Sequence, residues 1–129
     1  MKELTLKEWS AYLPYGLKFK TKRGFDTLST LSDELINCDF EEWYSLNKVK
    51  PILYDLSWLT REITHEGETF VPIDKIHIYE NNSDYLIEMI TTGLVEKIIW
   101  DMLVSWRFNV FNLPDELIVR VTEDFNPYK

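Results

Sequence analysis

Cysteine, glycine and long apolar runs are all scarce in this sequence, and each shortage excludes a class of protein. Cys38 is the only cysteine, so a framework of internal disulfides is excluded. The four glycines are isolated, which excludes the P-loop and the dinucleotide fingerprint as local motifs. No apolar run approaches the roughly 18 residues that a membrane span requires, and no leader-like segment opens the chain. We therefore expect a cytoplasmic protein that does not enter a membrane.

Signatures of catalysis and metal binding are also missing. No serine lies in a nucleophile elbow, and His65 and His77 do not have the spacing of paired metal ligands. We expect His65 in a solvated turn and His77 on a strand. Acidic doublets such as Asp115 and Glu116 could converge on a magnesium ion or a glycosidic bond, but such doublets usually lie on the solvated surface. The sequence predicts no enzyme, no metal and no cofactor.

The composition is that of one folded domain. The 129 residues are 45% hydrophobic and 28% charged, which are ordinary globular values, so we predict a single domain over residues 1–129. Aromatic residues make up 15% of the chain, and they are favoured both in cores and at protein contacts.

The first 40 residues alternate in a way that predicts a short helix followed by strands. Thr5 and Glu8 have the spacing of a capping box, which indicates a helix start. From Leu17 to Lys22, apolar residues and threonine occupy one face and lysines the other, the pattern of a half-buried strand. Gly24 allows a tight reversal into a second strand, and acidic residues across the ladder could neutralise the lysines. The predicted strands are 17–22, 25–31 and about 34–40.

The middle of the chain predicts shorter elements. Pro51 limits any strand there to an edge or to its first position. Asp55 can cap a helix over residues 56–63, which Gly67 would end. Alternation predicts a strand over residues 75–79.

Residues 94–108 have the clearest pattern, that of a central amphipathic helix with Thr92 as its cap. Residues 85–90 fit a helix or a strand, and we favour a helix. The apolar stripe of the central helix comprises Leu94, Val95, Ile98, Ile99, Met102, Leu103 and Trp106.

Two polar features of this helix and one further strand complete the prediction. Lys97 and Asp101 are spaced for an ion pair, while Trp100 and Arg107 project away from the stripe as a candidate exposed pair. A last strand follows at 117–121. The sequence thus predicts an α+β fold, in which a small antiparallel β-meander packs against the central helix and short helices accompany it.

Charge is sorted along the chain. Residues 1–25 hold six Lys/Arg and two Glu, whereas the other 104 residues hold eight basic and twenty acidic side chains. Between Asp26 and Glu42 there are six acidic residues and no basic one, which predicts an anionic surface suited to a basic partner. The candidate partner-binding residues are Asp33, Glu34, Asp39, Glu41 and Glu42 as the charge, with Trp43 and Tyr44 as anchors.

Several stretches resemble small uncharacterised proteins encoded by phages and prophages of Bacteroidetes. The similar stretches are Tyr12 to Lys18, Lys50 to Leu53, Leu56 to Ile63, Gly67 to Ile73 and Trp106 to Phe111. The resemblance implies a phage origin and a compact mixed fold, and it implies no catalytic residues, because that group has no established activity.

These observations predict a small acidic phage-type protein-interaction domain in the host cytoplasm. Its partner would be a host protein with a basic surface, and the domain would act as an anti-defence inhibitor of the anti-CRISPR kind, with carboxylates standing in for phosphates. The acidic balance makes direct nucleic-acid binding unfavourable. The alternatives are a nucleic-acid accessory protein or a phage structural or assembly protein. The accessory protein would use the basic hairpin of Lys18, Lys20, Lys22 and Arg23.

Overall fold

The computed structural model describes residues 6–21, 24–31, 35–38, 43–45, 49–77 and 82–128. They form a mixed fold with a six-stranded sheet in the order β4-β3-β2-β1-β5-β8 and a separate hairpin of β6 and β7, which confirms the predicted α+β class. The strands are β1 Lys18–Thr21, β2 Gly24–Leu31, β3 Leu35–Cys38, β4 Trp43–Ser45, β5 Lys50–Leu53, β6 Ile63–His65, β7 Glu68–Phe70 and β8 Val119–Arg120. The helices are α1 Leu6–Tyr12, α2 Pro72–Ile76, α3 Ser83–Thr92 and α4 Lys97–Ser105, with 3₁₀ turns at Leu13–Tyr15, Leu56–Thr60 and Asp115–Leu117.

The predicted hairpin of β1 and β2 is confirmed. The strands are antiparallel and Thr21 lies opposite Gly24, whose φ of +117° is one that side chains with a Cβ rarely adopt. Phe19 is buried and Lys20 is exposed, as the alternation of β1 requires. Strands β3 and β4 continue the antiparallel order, with β3 inside the predicted range 34–40.

Strand β5 corrects the prediction for Pro51. This proline is the second residue of a strand that lies between β1 and β8, so it occupies neither an edge strand nor a first position. The pairing with β8 begins only at Ile52, opposite Val119, so the absent N–H of Pro51 precedes that ladder. The β5–β8 pair is parallel, and β8 covers two residues of the predicted strand 117–121.

Asp55 caps the next turn as predicted, but the turn is not the predicted helix over 56–63. The Asp55 carboxylate accepts a hydrogen bond from the Ser57 N–H at 3.1 Å, and the 3₁₀ turn ends at Thr60. Ile63 is the first residue of β6. It is buried and lies opposite Phe70 in the β6–β7 hairpin, and it is not part of a helix. Gly67, with φ of +81°, forms the turn of this hairpin and does not end a helix.

The predicted strand over 75–79 is wrong for residues 75–77, and residues 78 and 79 lie outside the described ranges. Residues 72–76 form α2, since Pro72 suits the first position of a helix, where its φ is preset and no N–H is needed. Ile73 and Ile76 are buried at a spacing of three, which a helix places on one face. His77 follows α2 as its C-terminal cap and is therefore not a strand residue.

Residues 85–90 are helical, as favoured, but the helix predicted over 94–108 is shorter and begins later. Thr92 is the last residue of α3 rather than a cap of α4, because Gly93 ends α3 in the left-handed conformation with φ of +78°. Helix α4 runs over Lys97–Ser105 and packs against α1. The finer arrangement, a meander packed against a central helix, stays a prediction.

Aromatic side chains form much of the core around Tyr54. Its ring centroid lies 5.3 Å from Trp58, 5.5 Å from Phe108 and 5.8 Å from Tyr128. The main chain closes the same region, since the Tyr54 N–H donates to the Arg107 carbonyl at 3.0 Å. The Val121 N–H likewise donates to the Leu53 carbonyl at 3.0 Å, so main-chain hydrogen bonds hold Arg107 and Val121 at the carboxyl end of β5.

Candidate functional site

The anionic residues predicted to bind a partner lie outside the described residues. Trp43 and Tyr44, the predicted anchors, form the start of β4, opposite Asn37 and Ile36, and nothing of their side chains is described. The role of this set stays a prediction. The residues outside the described ranges are Asp33, Glu34, Asp39, Glu41 and Glu42.

Trp100 and Arg107 do not form the predicted exposed pair. Arg107 is 8% exposed, and its guanidinium donates to the Tyr15 carbonyl at 2.9 Å. Trp100 is half-buried with its ring edge-on to Phe111, at 5.3 Å between centroids. The prediction extended helical spacing to Arg107, but α4 ends at Ser105, and Arg107 has left-handed backbone with φ of +65°.

Arg107 instead belongs to a buried cluster. Its guanidinium carbon lies 4.1 Å from the centroid of the Tyr128 ring, and Nη2 lies 3.5 Å from Nδ1 of His65. Burial lowers the pKa of Arg107. Burial, and then the nearby guanidinium, lowers the pKa of His65, which is half-buried and not the solvated turn residue that was predicted.

Most cations after residue 49 are neutralised by carboxylates. Residues 49–128 contain six Lys/Arg, of which Arg107 is buried and Lys50 lies at the start of β5. The other four make ion pairs, including the predicted one between Lys97 and Asp101 at 2.7 Å. The remaining pairs are Arg61 with Glu123, Lys75 with Glu68, and Arg120 with Asp55 and Asp115.

Several exposed carboxylates make no ion pair with any described residue. Four of them, Asp74, Asp84, Glu88 and Glu96, lie on α2, on α3 and just before α4, and unpaired carboxylates of this kind attract basic partners. The carboxylates are Glu62, Asp74, Asp84, Glu88, Glu96, Glu116 and Asp124.

Three of the four exposed large hydrophobic residues in the described ranges lie in or beside α3 and α4. Leu94 is 77% exposed, Tyr85 51% and Ile98 44%. Leu94 follows the left-handed Gly93, and its N–H donates to the Met89 carbonyl at 2.9 Å in a Schellman-type cap. A hydrophobic residue at this position after a helix often packs against the last turn of that helix, but the side chain of Leu94 stays largely exposed to solvent.

We use the name α3–α4 surface for five exposed residues of α3, α4 and the segment between them: Tyr85, Glu88, Leu94, Glu96 and Ile98. Tyr85 and Glu88 are three residues apart on one face of α3, and Glu96 lies between Leu94 and Ile98 in the chain. Large apolar side chains supply contact area that can be desolvated, and carboxylates steer a cationic partner toward it. The sequence pattern assigned Leu94 and Ile98 to the core; the charged residues 96, 97 and 101 around them were the available signal that this side faces water.

The basic hairpin is described in part. Lys18 is half-buried and donates to the Thr27 hydroxyl at 2.8 Å, whereas Lys20 is exposed; Lys22 and Arg23 lie outside the described ranges. The expected acidic partners across the ladder are not there, because Thr27 and Phe25 face these two lysines from β2.

A groove of about 350 Å³ lies beyond the carboxyl ends of β5 and β8. Several of its polar groups bond one another: Asp55 accepts from Ser57 and Arg120, and the Asn109 amide bonds the main chain of Leu113. Burial alone would raise the pKa of Asp55, but hydrogen bonds from Ser57 and Arg120 outweigh it and hold the pKa below its usual value.

Across the described part of the chain, no group of three His, Cys, Asp or Glu side chains is placed to hold a metal ion. Within the same ranges, no helix is both long enough and apolar enough to cross a membrane. The predicted likeness to phage and prophage proteins stays a prediction. No protein-family model matches this sequence, and no curated protein or solved structure shows significant similarity to it.

Proposed function

We propose that this chain is a protein-interaction domain that binds a partner with a basic surface through the α3–α4 surface. The observation that carries the proposal is the exposure of Leu94 and Ile98 beside Glu96, a carboxylate that makes no ion pair with a described residue. Exposed leucine and isoleucine side chains retain a hydrophobic driving force for burial. Burying a fully exposed side chain of this size contributes about 1.5 to 3 kcal/mol; Leu94, 77% exposed, retains most of that and Ile98, 44% exposed, less than half.

Size and charge fit such a contact. From Tyr85 to the end of α3 at Thr92 the helix extends about 10 Å at about 1.5 Å per residue, which is within the width of a standard interface. Glu88 and Glu96 supply charge beside the apolar residues, and charge at the rim of an interface speeds encounter with an oppositely charged surface.

The partner class that we propose is a nucleic-acid-binding protein of host defence, which the domain inhibits by occupying its basic groove. One observation supports this proposal, the net charge of −8; the phage origin that the sequence resemblance implies is itself a prediction. Carboxylates would take the places of phosphates, and Leu94 and Ile98 would add contacts that a nucleic acid lacks.

The test compares two charge-reversal variants of equal charge change. The partner is captured from host lysate with the wild-type domain, purified, and its affinity measured by titration at low and moderate salt. We expect Glu88→Lys/Glu96→Lys and, separately, Leu94→Ala to weaken binding about tenfold, and the charge variant to weaken it most at low salt. The control Glu62→Lys/Asp74→Lys alters two exposed acids outside the α3–α4 surface and should have a smaller effect.

If the two charge variants lose the same affinity for the partner, and Leu94→Ala loses none, the α3–α4 surface is not the binding surface. The inhibitor mechanism is tested separately by competition. Nucleic acid that the partner binds should displace the domain, and failure to displace it would contradict mimicry while leaving protein binding intact.

A further inference from the structure

We propose a second binding site, for single-stranded nucleic acid, on the exposed face of the sheet where β2, β1 and β5 lie side by side. It goes beyond the protein-binding role, and it runs against the expectation from net charge. Its residues form a row across the three strands: Phe25 on β2, Lys20 on β1 and Lys50 on β5. With strands about 4.8 Å apart, the row spans about 10 Å.

The pairing of Lys20 with Lys50 is the first reason. The register places these lysines directly opposite each other, both are exposed, and neither makes an ion pair with a described residue. Like charges directly opposite across a ladder are destabilising. An anion bound between the two ammonium groups would relieve that repulsion, so the site favours a phosphate.

An exposed aromatic ring beside these lysines is the second reason. Phe25 is 41% exposed and lies opposite Lys20. Its position is fixed by the edge of Phe125, at 6.1 Å between ring centroids, and by the Lys18 ammonium, 5.5 Å from its centroid. A ring held in place next to cations is the arrangement on which bases of single strands stack while their phosphates are neutralised.

Local charge separates this face from the acidic remainder of the protein. The described residues of β1, β2 and β5 on the exposed face include no acid, because Asp26 is 4% exposed and lies opposite the buried Phe19. At physiological ionic strength, exposed charges are largely screened beyond about 8 Å. An acidic protein segment could also meet these lysines, but it would not require an aromatic ring, so the ring favours a nucleobase.

The test is fluorescence anisotropy with labelled single-stranded DNA and RNA homopolymers of about 12 nucleotides, a length within the range that one small binding surface covers. We expect Lys20→Ala/Lys50→Ala to weaken binding at least tenfold and to lower the slope of log affinity against log salt by about 1.4, since each phosphate of a single strand that is neutralised contributes about 0.7. Phe25→Leu should weaken binding about tenfold and leave that slope unchanged.

The control Lys75→Ala/Lys97→Ala removes the same charge from two lysines that are already paired with carboxylates, and its affinity should stay near that of the wild type. Circular dichroism checks that each variant folds. No binding by the wild-type chain, or an equal loss in the control, would overturn the proposal. An unchanged Phe25→Leu affinity, with polyglutamate competing as well as nucleic acid, would overturn it in favour of a general anion site. The uncharged α3–α4 variant Leu94→Ala should bind the oligonucleotides normally, which keeps this result independent of the proposed function.

Discussion

Removing the Tyr128 hydroxyl should destabilise the protein, because its oxygen forms hydrogen bonds to both β1 and β5. These bonds lie just beyond the last residues that the two strands pair with each other. The hydroxyl accepts a hydrogen bond from the Lys18 N–H at 2.8 Å and donates one to the Ile52 carbonyl at 2.6 Å. Burial raises the pKa of this hydroxyl, so it remains protonated and able to donate.

The substitution Tyr128→Phe keeps the ring beside Tyr54 but leaves the Lys18 N–H and the Ile52 carbonyl without this partner. A buried polar group that loses its partner costs about 1 to 3 kcal/mol. For the two groups together, one of them only part-buried, we expect the free energy of unfolding to fall by about 2 to 4 kcal/mol. In a domain of this size the melting temperature should fall by roughly 4 °C per kcal/mol.

The measurement is urea unfolding followed by tryptophan fluorescence, for the wild type, Tyr128→Phe and the control Tyr85→Phe. Tyr85 is 51% exposed, and its hydroxyl bonds no described residue, so the control should lie within about 0.5 kcal/mol of the wild type. Equal stability of Tyr128→Phe and Tyr85→Phe would refute the reasoning that this hydroxyl connects β1 and β5.

Two further predictions concern charge. Burial and the Arg107 guanidinium lower the pKa of His65, so as the pH falls His65 is protonated in the unfolded chain before it is protonated in the folded protein. The free energy of unfolding should therefore be at its full value above about pH 6.5 and should decrease as the pH drops below that. His65→Gln should flatten that part of the stability profile, and an unaltered profile would contradict the assignment. Asp55→Ala should cost about 1 kcal/mol or more in urea unfolding, because Asp55 caps the turn at 56–60 and binds Arg120, whereas the exposed Glu62→Ala should cost almost nothing; equal losses would show that the cap is not what matters.

Local patterns predicted the elements that local chemistry determines. The β1–β2 hairpin follows from a period of two and a glycine at the reversal, and the Asp55 cap follows from a side chain that bonds an N–H two residues away. Residues 75–79 alternate just as regularly, yet Pro72 and the burial of Ile73 and Ile76 impose a helix. Alternation over five residues is too short to outweigh that packing.

The candidate site illustrates a different limit. Leu94 and Ile98 fit the apolar period of the helix predicted over 94–108, but a period shows only that residues share a face, and cannot distinguish a face toward the core from one toward solvent. The burial of Arg107 and the parallel pairing of β5 with β8 depend on segments far apart in the chain, and no local pattern indicates them. The Lys20–Lys50 row arises in the same way, from a register that joins β1 to β5.

The fastening of residues 107–128 onto β1 and β5 has a consequence for synthesis. Lys18 meets its Tyr128 partner 110 residues later in the chain, and Leu53 accepts its hydrogen bond from Val121. Until residues 107–128 have been synthesised, β5 lacks its partner β8, and the aromatic ring of Tyr54 lacks its neighbours Phe108 and Tyr128. Contacts so distant in sequence slow folding and favour aggregation in the interval, so a nascent chain of this protein should depend on chaperones until β8 and Tyr128 have left the exit tunnel.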